Sequence, residues 1–495
     1  MDEKTFLTGY DQRGAAYDTG DHVLRKIDPG YLQRTLDIYE VYARFNLKEC
    51  GIVETDSCLA GETLRHKKHT ISYPYEWPAN MYKDAVLFHL DLYAKLDRCG
   101  LALKDATPNN ILFDFQRPVF VDFLSMVRKE RLTEETSYLP GPDYADRRFG
   151  IFAKMFIPFM LAPLIEMARG DYGLARISLS EKACNSVNSG FNAVEGFHRV
   201  FRIFKLRSKQ TAKYLLGRAE EPRFDAARLS AIINLLKAGG DTDFVDFIRM
   251  AYEFAKCVEV TPLKSRYVAY YEDKNENYDL SDRSQWKSKQ KNIYDVILRN
   301  KPARVLDIGA NTGWFSILAE KLGSEVIAVD SDESSVDTLY RNAKARGLKI
   351  LSLVIPFSGL TRQIYGIIDD HPAYKGRDFR NNPLFMAPTK RLKSNMVLCL
   401  GLFHHLVLGE GRDMDEVFKV LSDLTVKNLV LEFISLKDGL IQSEPSAFKN
   451  IKKFTEASYN LQIVLEKGKR YFSNVEVRDS YPDSRKLLIF SREIS

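Results

Sequence analysis

The order of apolar and polar positions divides this 495-residue chain into three regions. Residues 1–140 mix short strand-like runs with one long helical run, and residues 141–265 have mostly helical spacing. Residues 266–495 alternate apolar strands with helices, an order typical of a doubly wound sheet. We therefore predict an α/β chain with a C-terminal Rossmann-like domain, in which the charged residues 266–300 form a linker or lid.

Within residues 266–495, the sequence predicts a series of strands joined by a turn and a helix. An apolar strand is predicted at Arg304–Ile308, a glycine-containing turn runs to Gly313, and helical spacing follows at Trp314–Leu322. A second strand, Glu325–Val329, ends in Asp330. Further apolar runs predict strands within Met396–Leu408 and at Asn428–Phe433.

Composition and charge narrow the class of protein. The net charge of +6 comes from 72 basic and 66 acidic residues, a small excess that does not favour a nucleic-acid partner. The six cysteines have no metal-site spacing, and the polar N-terminus lacks the order of a secretory signal, so we expect a cytoplasmic protein. The apolar run Met155–Ile165 is too short to span a bilayer, and we interpret it as a buried helix rather than a membrane-surface segment.

The glycine turn carries the strongest chemical signal. Gly309 and Gly313 would let the backbone approach a ligand closely, and the carboxylate of Asp330 could accept hydrogen bonds from both hydroxyls of a ribose. A turn of this kind also fits dinucleotide enzymes. The form D-I-G-A-N-T-G, which contains Asp307 and Asn311, resembles motif I of class I S-adenosylmethionine (SAM) methyltransferases and lacks the third glycine of a NAD site. We therefore predict that SAM binds here.

A pair of histidines follows the fourth strand of this region. His404 and His405 would lie at the carboxyl end of the sheet, where such folds place their active sites. An imidazole there could accept the proton of an attacking hydroxyl, so either residue is a candidate general base. The alternative is that one of them caps the strand or packs under the loop. Glu432, at the end of the next strand, either lines the acceptor pocket or lies at the surface.

Several segments resemble the NoeA-like, nodulation-protein-related group of methyltransferases. The segments are ARVLDIGANTG, VIAVDSD, LFHHLV and VLEF, with SYPYEWP, KDATPNNILF and PVFVDF upstream. The resemblance implies methylation of a small-molecule or glycan acceptor, such as a cell-surface precursor. Pro356 stands where that group has an acidic residue facing the adenine amino group, which leaves the adenine contacts open.

A second constellation lies in the N-terminal region. Asp105, Asn110 and Asp122 follow the order of the catalytic loop and the Asp-Phe-Gly element of protein-kinase-like enzymes. The resemblance implies that Asp105 orients an acceptor hydroxyl and that Asn110 and Asp122 hold Mg²⁺ against ATP. Upstream, it implies a strand that carries Lys26 toward the phosphates and a helix that carries its partner Glu40.

The kinase-like pattern has departures. Lys104 precedes Asp105 where protein kinases have a histidine and an arginine. Leu124 stands in place of the final glycine of the Asp-Phe-Gly element, and no complete glycine-rich loop precedes Lys26. The sequence therefore leaves two interpretations of this half, a phosphotransferase that uses ATP and Mg²⁺ or a pseudokinase-like scaffold.

Three functions are consistent with these patterns. The first is an O-methyltransferase for a carbohydrate, the second a bifunctional kinase-methyltransferase, and the third a non-catalytic binding or regulatory protein with two degenerate enzyme folds. A basic amphipathic stretch at 198–213 could contact a glycolipid or a membrane surface, although such runs are usually solvated faces.

Overall fold

The structure is a computed structural model that describes residues 5–6, 13–58, 62–137, 144, 146–173, 175–176, 179, 223–237, 242–262, 265, 267–268, 280, 282–362 and 386–493. The chain forms two compact units that divide at residues 262 and 263. The basic stretch predicted at 198–213 lies outside the described residues.

The N-terminal unit begins with a five-stranded antiparallel sheet. Its spatial order is β1-β2-β3-β5-β4, and helix α1 (Leu32–Arg44) connects the third and fourth strands along the chain. The strands are β1 (Thr5–Phe6), β2 (Gly14–Asp18), β3 (His22–Ile27), β4 (Thr55–Cys58) and β5 (Thr63–Lys67).

The rest of this unit is mostly helical and contains two short antiparallel strand pairs. The pairs are β6 (Leu101–Leu103) with β9 (Met126–Arg128), and β7 (Ile111–Asp114) with β8 (Arg117–Phe120). The described helices are α2 (Ala79–Arg98), α3 (Leu132–Glu135), α4 (Arg147–Ile151), a π-helix (Phe152–Leu161), α5 (Ala162–Ala168), α6 (Ala226–Lys237) and α7 (Phe244–Cys257).

The apolar run predicted at Met155–Ile165 belongs to a longer helical stretch, Arg147–Ala168. By length and composition this stretch could cross a membrane, but 89% of its most apolar window is buried inside the unit. Phe152 and Phe156 stack on each other, and Phe152 also contacts Phe247 of α7 edge-on. The stretch is thus packed as a core helix, in agreement with the sequence interpretation.

The C-terminal unit is built on a seven-stranded sheet with the spatial order β12-β11-β10-β13-β14-β16-β15. The first five in this order are parallel, and β16 pairs antiparallel with both β14 and β15. The strands are β10 (Arg304–Ile308), β11 (Glu325–Asp330), β12 (Ile350–Val354), β13 (Ser394–Cys399), β14 (Thr425–Ile434), β15 (Asn474–Asp479) and β16 (Arg485–Ser491).

Helices connect the parallel strands and cover the sheet. They are α8 (Ser288–Asn300), α9 (Trp314–Lys321), α10 (Glu333–Arg346), α11 (Pro388–Arg391), α12 (Met414–Leu424), α13 (Gly439–Ser443) and α14 (Leu461–Gly468). The central strands are nearly continuous apolar runs because both of their faces are covered. The order of strands reverses between β10 and β13, and ligands of open α/β sheets bind at the carboxyl ends beside such a switch point.

The predicted α/β class is confirmed, and the C-terminal unit has the doubly wound parallel sheet that the alternation of strands and helices predicts. The predicted strand Arg304–Ile308 has the observed bounds of β10, and the run that ends at Asp330 is β11. The kinase-like nature of the N-terminal unit stays a prediction.

Candidate functional site

The loop between β10 and α9 places its backbone close to neighbouring residues. Gly309 has φ +76°, and a Cβ atom at this position would lie 3.3 Å from a methyl carbon of Leu402 in the loop after β13. Gly313 has φ +84°, and a Cβ atom there would collide with Leu339 of α10. The backbone conformation favours glycine at both positions, and at Gly313 the lack of space for a Cβ atom also requires it.

Asp330 lies at the carboxyl end of β11, beside this loop. Its Oδ2 atom accepts a hydrogen bond of 2.9 Å from the backbone N–H of Asn311, and its Oδ1 atom accepts one of 2.9 Å from Asp332. Burial raises the pKa of Asp330, and this effect is larger than the lowering of the pKa by the two hydrogen bonds. An ionised carboxylate can accept up to about four hydrogen bonds, so Asp330 can also accept a bond from a ligand hydroxyl.

Asp307 lies under the loop, inside the sheet. Its carboxylate accepts a hydrogen bond of 2.7 Å from Ser316 Oγ of α9, and the residue is almost fully buried. Burial raises its pKa to about 6, against the lowering effect of the Ser316 bond. In this position Asp307 ties the strand to the helix that begins at the cofactor loop.

His404 and His405 lie at the carboxyl end of β13, at the start of a one-turn π-helix (His405–Gly409). His404 is 1% exposed, and both of its ring nitrogens are buried without a hydrogen-bond partner. The two imidazole centroids are 4.2 Å apart, and Phe448 packs against both rings. Burial, and then the neighbouring His405, hold the pKa of His404 well below its usual range, so this imidazole is neutral near pH 7 and is a weaker base than an exposed histidine.

A buried ion pair lies at the same edge of the sheet. Lys289 Nζ of α8 is 2.7 Å from Glu432 Oε2 of β14, and Ser480 Oγ donates to Glu432 Oε1 at 2.6 Å. Burial, together with the charges of Asp307 and Glu432, raises the pKa of the Cys399 thiol to about 12. The sequence indicated Glu432 but missed Lys289, which is 143 positions away along the chain and carries no local signal.

Pro356, the departure noted in the sequence, precedes a short 3-10 helix (Phe357–Gly359) after β12. The ring of Phe357 is largely buried, and the guanidinium of Arg412 lies 5.6 Å from the centroid of that ring. The segment after β12 therefore brings an aromatic ring and a cation together next to Pro356.

In the N-terminal unit, Asp105 and Asp122 are brought close to Asn110. Burial, and then the charge of Asp122, raise the pKa of Asp105 to about 6, while the adjacent Asn110 side chain lowers it. Asp105 Oδ1 and Asn110 Nδ2 are both buried, and neither atom makes a hydrogen bond of good geometry although the two side chains are adjacent. Unpartnered polar atoms of this kind are unusual in a folded protein and are expected where a ligand or water binds.

The prediction that Lys26 faces this group is wrong. Lys26 is exposed, and its neighbour Arg25 is 6% exposed with Nη1 at 3.6 Å from Asp122 Oδ1. Successive side chains of a strand point to opposite faces, so a shift of one position exchanges the two residues. Glu40, the predicted partner of Lys26, is exposed on α1, where its charge acts on Arg128.

Within the described part of the chain, no group of three or more His, Cys, Asp and Glu side chains is arranged to hold a metal ion. The predicted pair of Asn110 and Asp122 contains an asparagine, which is outside these four residue types, and it stays a prediction.

Comparisons with known proteins give methyltransferases among the relatives of this chain. No family model matches the chain. The nodulation protein NoeA of Rhizobium meliloti (strain 1021) is 25% identical over 385 residues, which cover 75% of this chain and 70% of NoeA. The ribosomal protein L11 methyltransferase of Thermotoga petrophila is 38% identical over 66 residues, 13% of this chain and 24% of that protein.

Solved structures align at low scores. The bifunctional kinase-methyltransferase WbdD has 17% identity and a TM-score of 0.29, over 45% of this chain and 42% of WbdD. The magnesium protoporphyrin IX methyltransferase of Synechocystis PCC 6803 has 15% identity and a TM-score of 0.27, over 46% of this chain. From its relatives and from the sheet with its glycine loop, the chain is a NoeA-like homologue and a SAM-dependent methyltransferase.

Proposed function

We propose that the C-terminal unit transfers the methyl group of SAM to a hydroxyl of a carbohydrate or cell-surface glycan precursor. The observation that carries the proposal is His404, a buried and neutral imidazole with both ring nitrogens unpartnered, in the segment that follows β13. A neutral imidazole has a nitrogen lone pair that can accept the hydroxyl proton as the new carbon–oxygen bond forms. The carbohydrate class rests on the NoeA-like resemblance.

In this proposal SAM binds along Asp307–Gly313, with its ribose hydroxyls on Asp330. SAM, when bound, supplies a methyl group that is activated by the positive charge on its sulfur. The chain supplies the close backbone approach at Gly309, the hydrogen-bond acceptors of Asp330 and, through Asn311, a rigid loop between them. These groups orient the ligand before reaction, which is a large share of what such an enzyme contributes.

The ion pair of Lys289 and Glu432 supports an uncharged polyhydroxy acceptor. Lys289 donates to Glu432, its side chain is 18% exposed, and its charge is close enough to lower the pKa of His404. An ammonium has three N–H donors, so Lys289 can also donate to acceptor hydroxyls. Glu432 balances its charge, and the pair therefore offers hydrogen bonds without a net attraction for anions.

The test is incubation of the full chain with methyl-labelled SAM and a panel of oligosaccharides and sugar nucleotides, followed by mass spectrometry with linkage analysis. We expect the label in an O-methyl ether of one sugar, with no incorporation by the Asp330→Ala variant. Label found on nitrogen, carbon or a protein side chain would overturn the proposal.

A second function is favoured by a separate observation, the unpartnered atoms of Asp105 and Asn110 beside Asp122. We propose that the N-terminal unit binds a nucleotide with Mg²⁺ and transfers its terminal phosphoryl group to an acceptor hydroxyl. Asp105 would orient that hydroxyl, and Asn110 and Asp122 would hold the metal ion. Arg25, in place of the predicted Lys26, would contact the phosphates.

The test is binding of ATP with and without Mg²⁺ by calorimetry, with wild-type protein and the Asp122→Ala variant. We expect metal-dependent binding that the substitution abolishes. Absence of nucleotide binding to the wild type would leave the unit as a scaffold. The non-catalytic alternative for the whole chain is not proposed, because the chain is a methyltransferase.

A further inference from the structure

A short segment ahead of α8 is hydrogen-bonded to the loops that follow β10 and β11. Ser265 Oγ donates a hydrogen bond of 2.7 Å to Asp332 Oδ2, and the Ser265 backbone N–H donates to Ser334 Oγ at 3.3 Å. Asp332 lies two positions after Asp330 and caps α10 through the backbone N–H of Ser335. This side of the segment is therefore attached to the loop that follows β11.

The same segment is attached to the loop that follows β10. Asn311 Nδ2 donates a hydrogen bond of 2.9 Å to the carbonyl oxygen of Tyr267, and the Tyr267 N–H donates to Ser265 Oγ at 3.2 Å. Val268, the next residue, is 4% exposed. We call Ser265, Tyr267 and Val268 the Ser265 strap. Its hydrogen bonds join the two loops between which Asp330 lies.

Asn311 occupies a backbone conformation that directs this contact. Its φ is +52°, in the left-handed region that asparagine tolerates better than most other residues. In that conformation its N–H binds Asp330 while its side-chain amide binds the strap. One residue therefore links the strap to the carboxylate that is proposed to hold the ribose.

We propose that the Ser265 strap is a further wall of the cofactor site and that its two side-chain hydrogen bonds, to Asp332 and from Asn311, limit the exchange of SAM and its demethylated product. The strap is bonded to Asp332 and Asn311, the two residues whose backbone N–H groups bind the Asp330 carboxylate, so a ribose that enters or leaves at Asp330 would pass beside these bonds. The inference rests on the proposed placement of the ribose at Asp330.

The test is stopped-flow competition on the full chain, in which bound SAM is displaced by an excess of the demethylated product, S-adenosylhomocysteine. In the Ser265→Ala variant we expect both the association and the dissociation rate of SAM to rise, the latter about tenfold, since two hydrogen bonds of the strap are lost. The dissociation constant should change less than the dissociation rate.

Ser335→Ala is the matched control. Ser335 Oγ donates to the same oxygen of Asp332 at 2.6 Å but does not contact the strap in any described hydrogen bond. We expect its SAM dissociation rate to stay within about twofold of wild type. Equal rates for wild type and Ser265→Ala, or an equal rise in both variants, would overturn the inference.

Asp330→Ala separates this inference from the placement of the cofactor. If SAM binds elsewhere, this variant keeps wild-type affinity, and the strap inference falls together with the placement. If Asp330→Ala weakens SAM binding while Ser265→Ala exchanges SAM at the wild-type rate, the placement stands and the strap inference alone is wrong.

Discussion

Lys289 Nζ lies 2.7 Å from Glu432 Oε2, and the Glu432 side chain is fully buried in the C-terminal unit. A buried carboxylate without its partner is costly, so Lys289→Met should lower the free energy of unfolding of this unit by about 3–5 kcal/mol. Urea denaturation followed by circular dichroism measures the change. The control is Lys437→Met, which removes an equally short pair with Glu456 at a site where both side chains are more than half exposed, and which should cost less than about 1 kcal/mol. Equal costs for the two variants would contradict the role of burial.

Gly313→Ala should destabilise the C-terminal unit through both strain and collision. The left-handed backbone costs about 1–2 kcal/mol for alanine, and the clash with Leu339 adds about 1–3 kcal/mol. Gly347→Ala is the control, because Gly347 has φ +64° but nothing within 4 Å of the added carbon. Thermal unfolding should therefore show a clearly larger loss for Gly313→Ala, and similar losses would mean that Leu339 moves aside at little cost.

Asp330→Asn tests the charge of the proposed ribose contact without changing the size of the side chain. Hydrogen bonds to a carboxylate are stronger than those to an amide, so we expect SAM affinity to fall about 10- to 100-fold by calorimetry. Glu325→Gln, at the other end of β11 and in an exposed pair with Arg304, is the control and should leave affinity unchanged. Unaltered SAM binding by Asp330→Asn would place the ribose elsewhere.

The burial of His404 predicts how turnover depends on pH. Its pKa is lowered by burial, so the neutral, proton-accepting form persists as pH falls through the ordinary histidine range near 6.5. Turnover by the wild type should therefore stay nearly constant from pH 7.5 to 6 and fall only at lower pH. His404→Ala should lower turnover about 10²- to 10⁴-fold with SAM binding retained. A decline centred at pH 6.5 that disappears in His405→Ala would instead make His405 the base.

Two buried histidines predict the acid sensitivity of the N-terminal unit. Burial lowers the pKa of both His66 and His89 to about 3, below the value of about 6.5 in an unfolded chain. The unfolded state therefore takes up protons first as pH falls. The free energy of unfolding should fall between pH 6.5 and 3 by at most about 1.4 kcal/mol per pH unit for each histidine, which is the slope for a difference of one bound proton. His89→Phe, with its ring among Tyr93, Phe120 and Phe156, should reduce this slope by about one proton in urea titrations at several pH values. An unchanged slope would show that His89 does not titrate in this transition.

The sequence was most informative where function requires a short local pattern. The glycine turn and the aspartate that ends the next strand are about twenty positions apart, and their roles depend on backbone conformation and on spacing along one βαβ unit. Local patterns of this kind do not depend on distant contacts. The sequence alone therefore indicates Gly309, Gly313 and Asp330, and the loop has the predicted position between strand and helix.

Other features depend on pairings that no local pattern encodes. The contact of Lys289 with Glu432 and that of Asn311 with Tyr267 join segments that are distant along the chain. The choice between Arg25 and Lys26 depended on which face of β3 is buried, and the alternation in His22–Ile27 is too weak to decide it. Packing against the rest of the unit decides which distant residues meet and which face of a strand is buried. A single sequence does not state these contacts explicitly.

The position of β16 in the sheet has a consequence for biosynthesis. This strand follows the other six in sequence, yet it is hydrogen-bonded on both sides, to β14 and to β15. During translation, the exposed edge of β14 has no partner until residues 485–491 leave the ribosome, and an unpaired edge invites association with other chains. A nascent chain arrested before this point would therefore be a natural client of ribosome-associated chaperones, although five parallel strands were already complete.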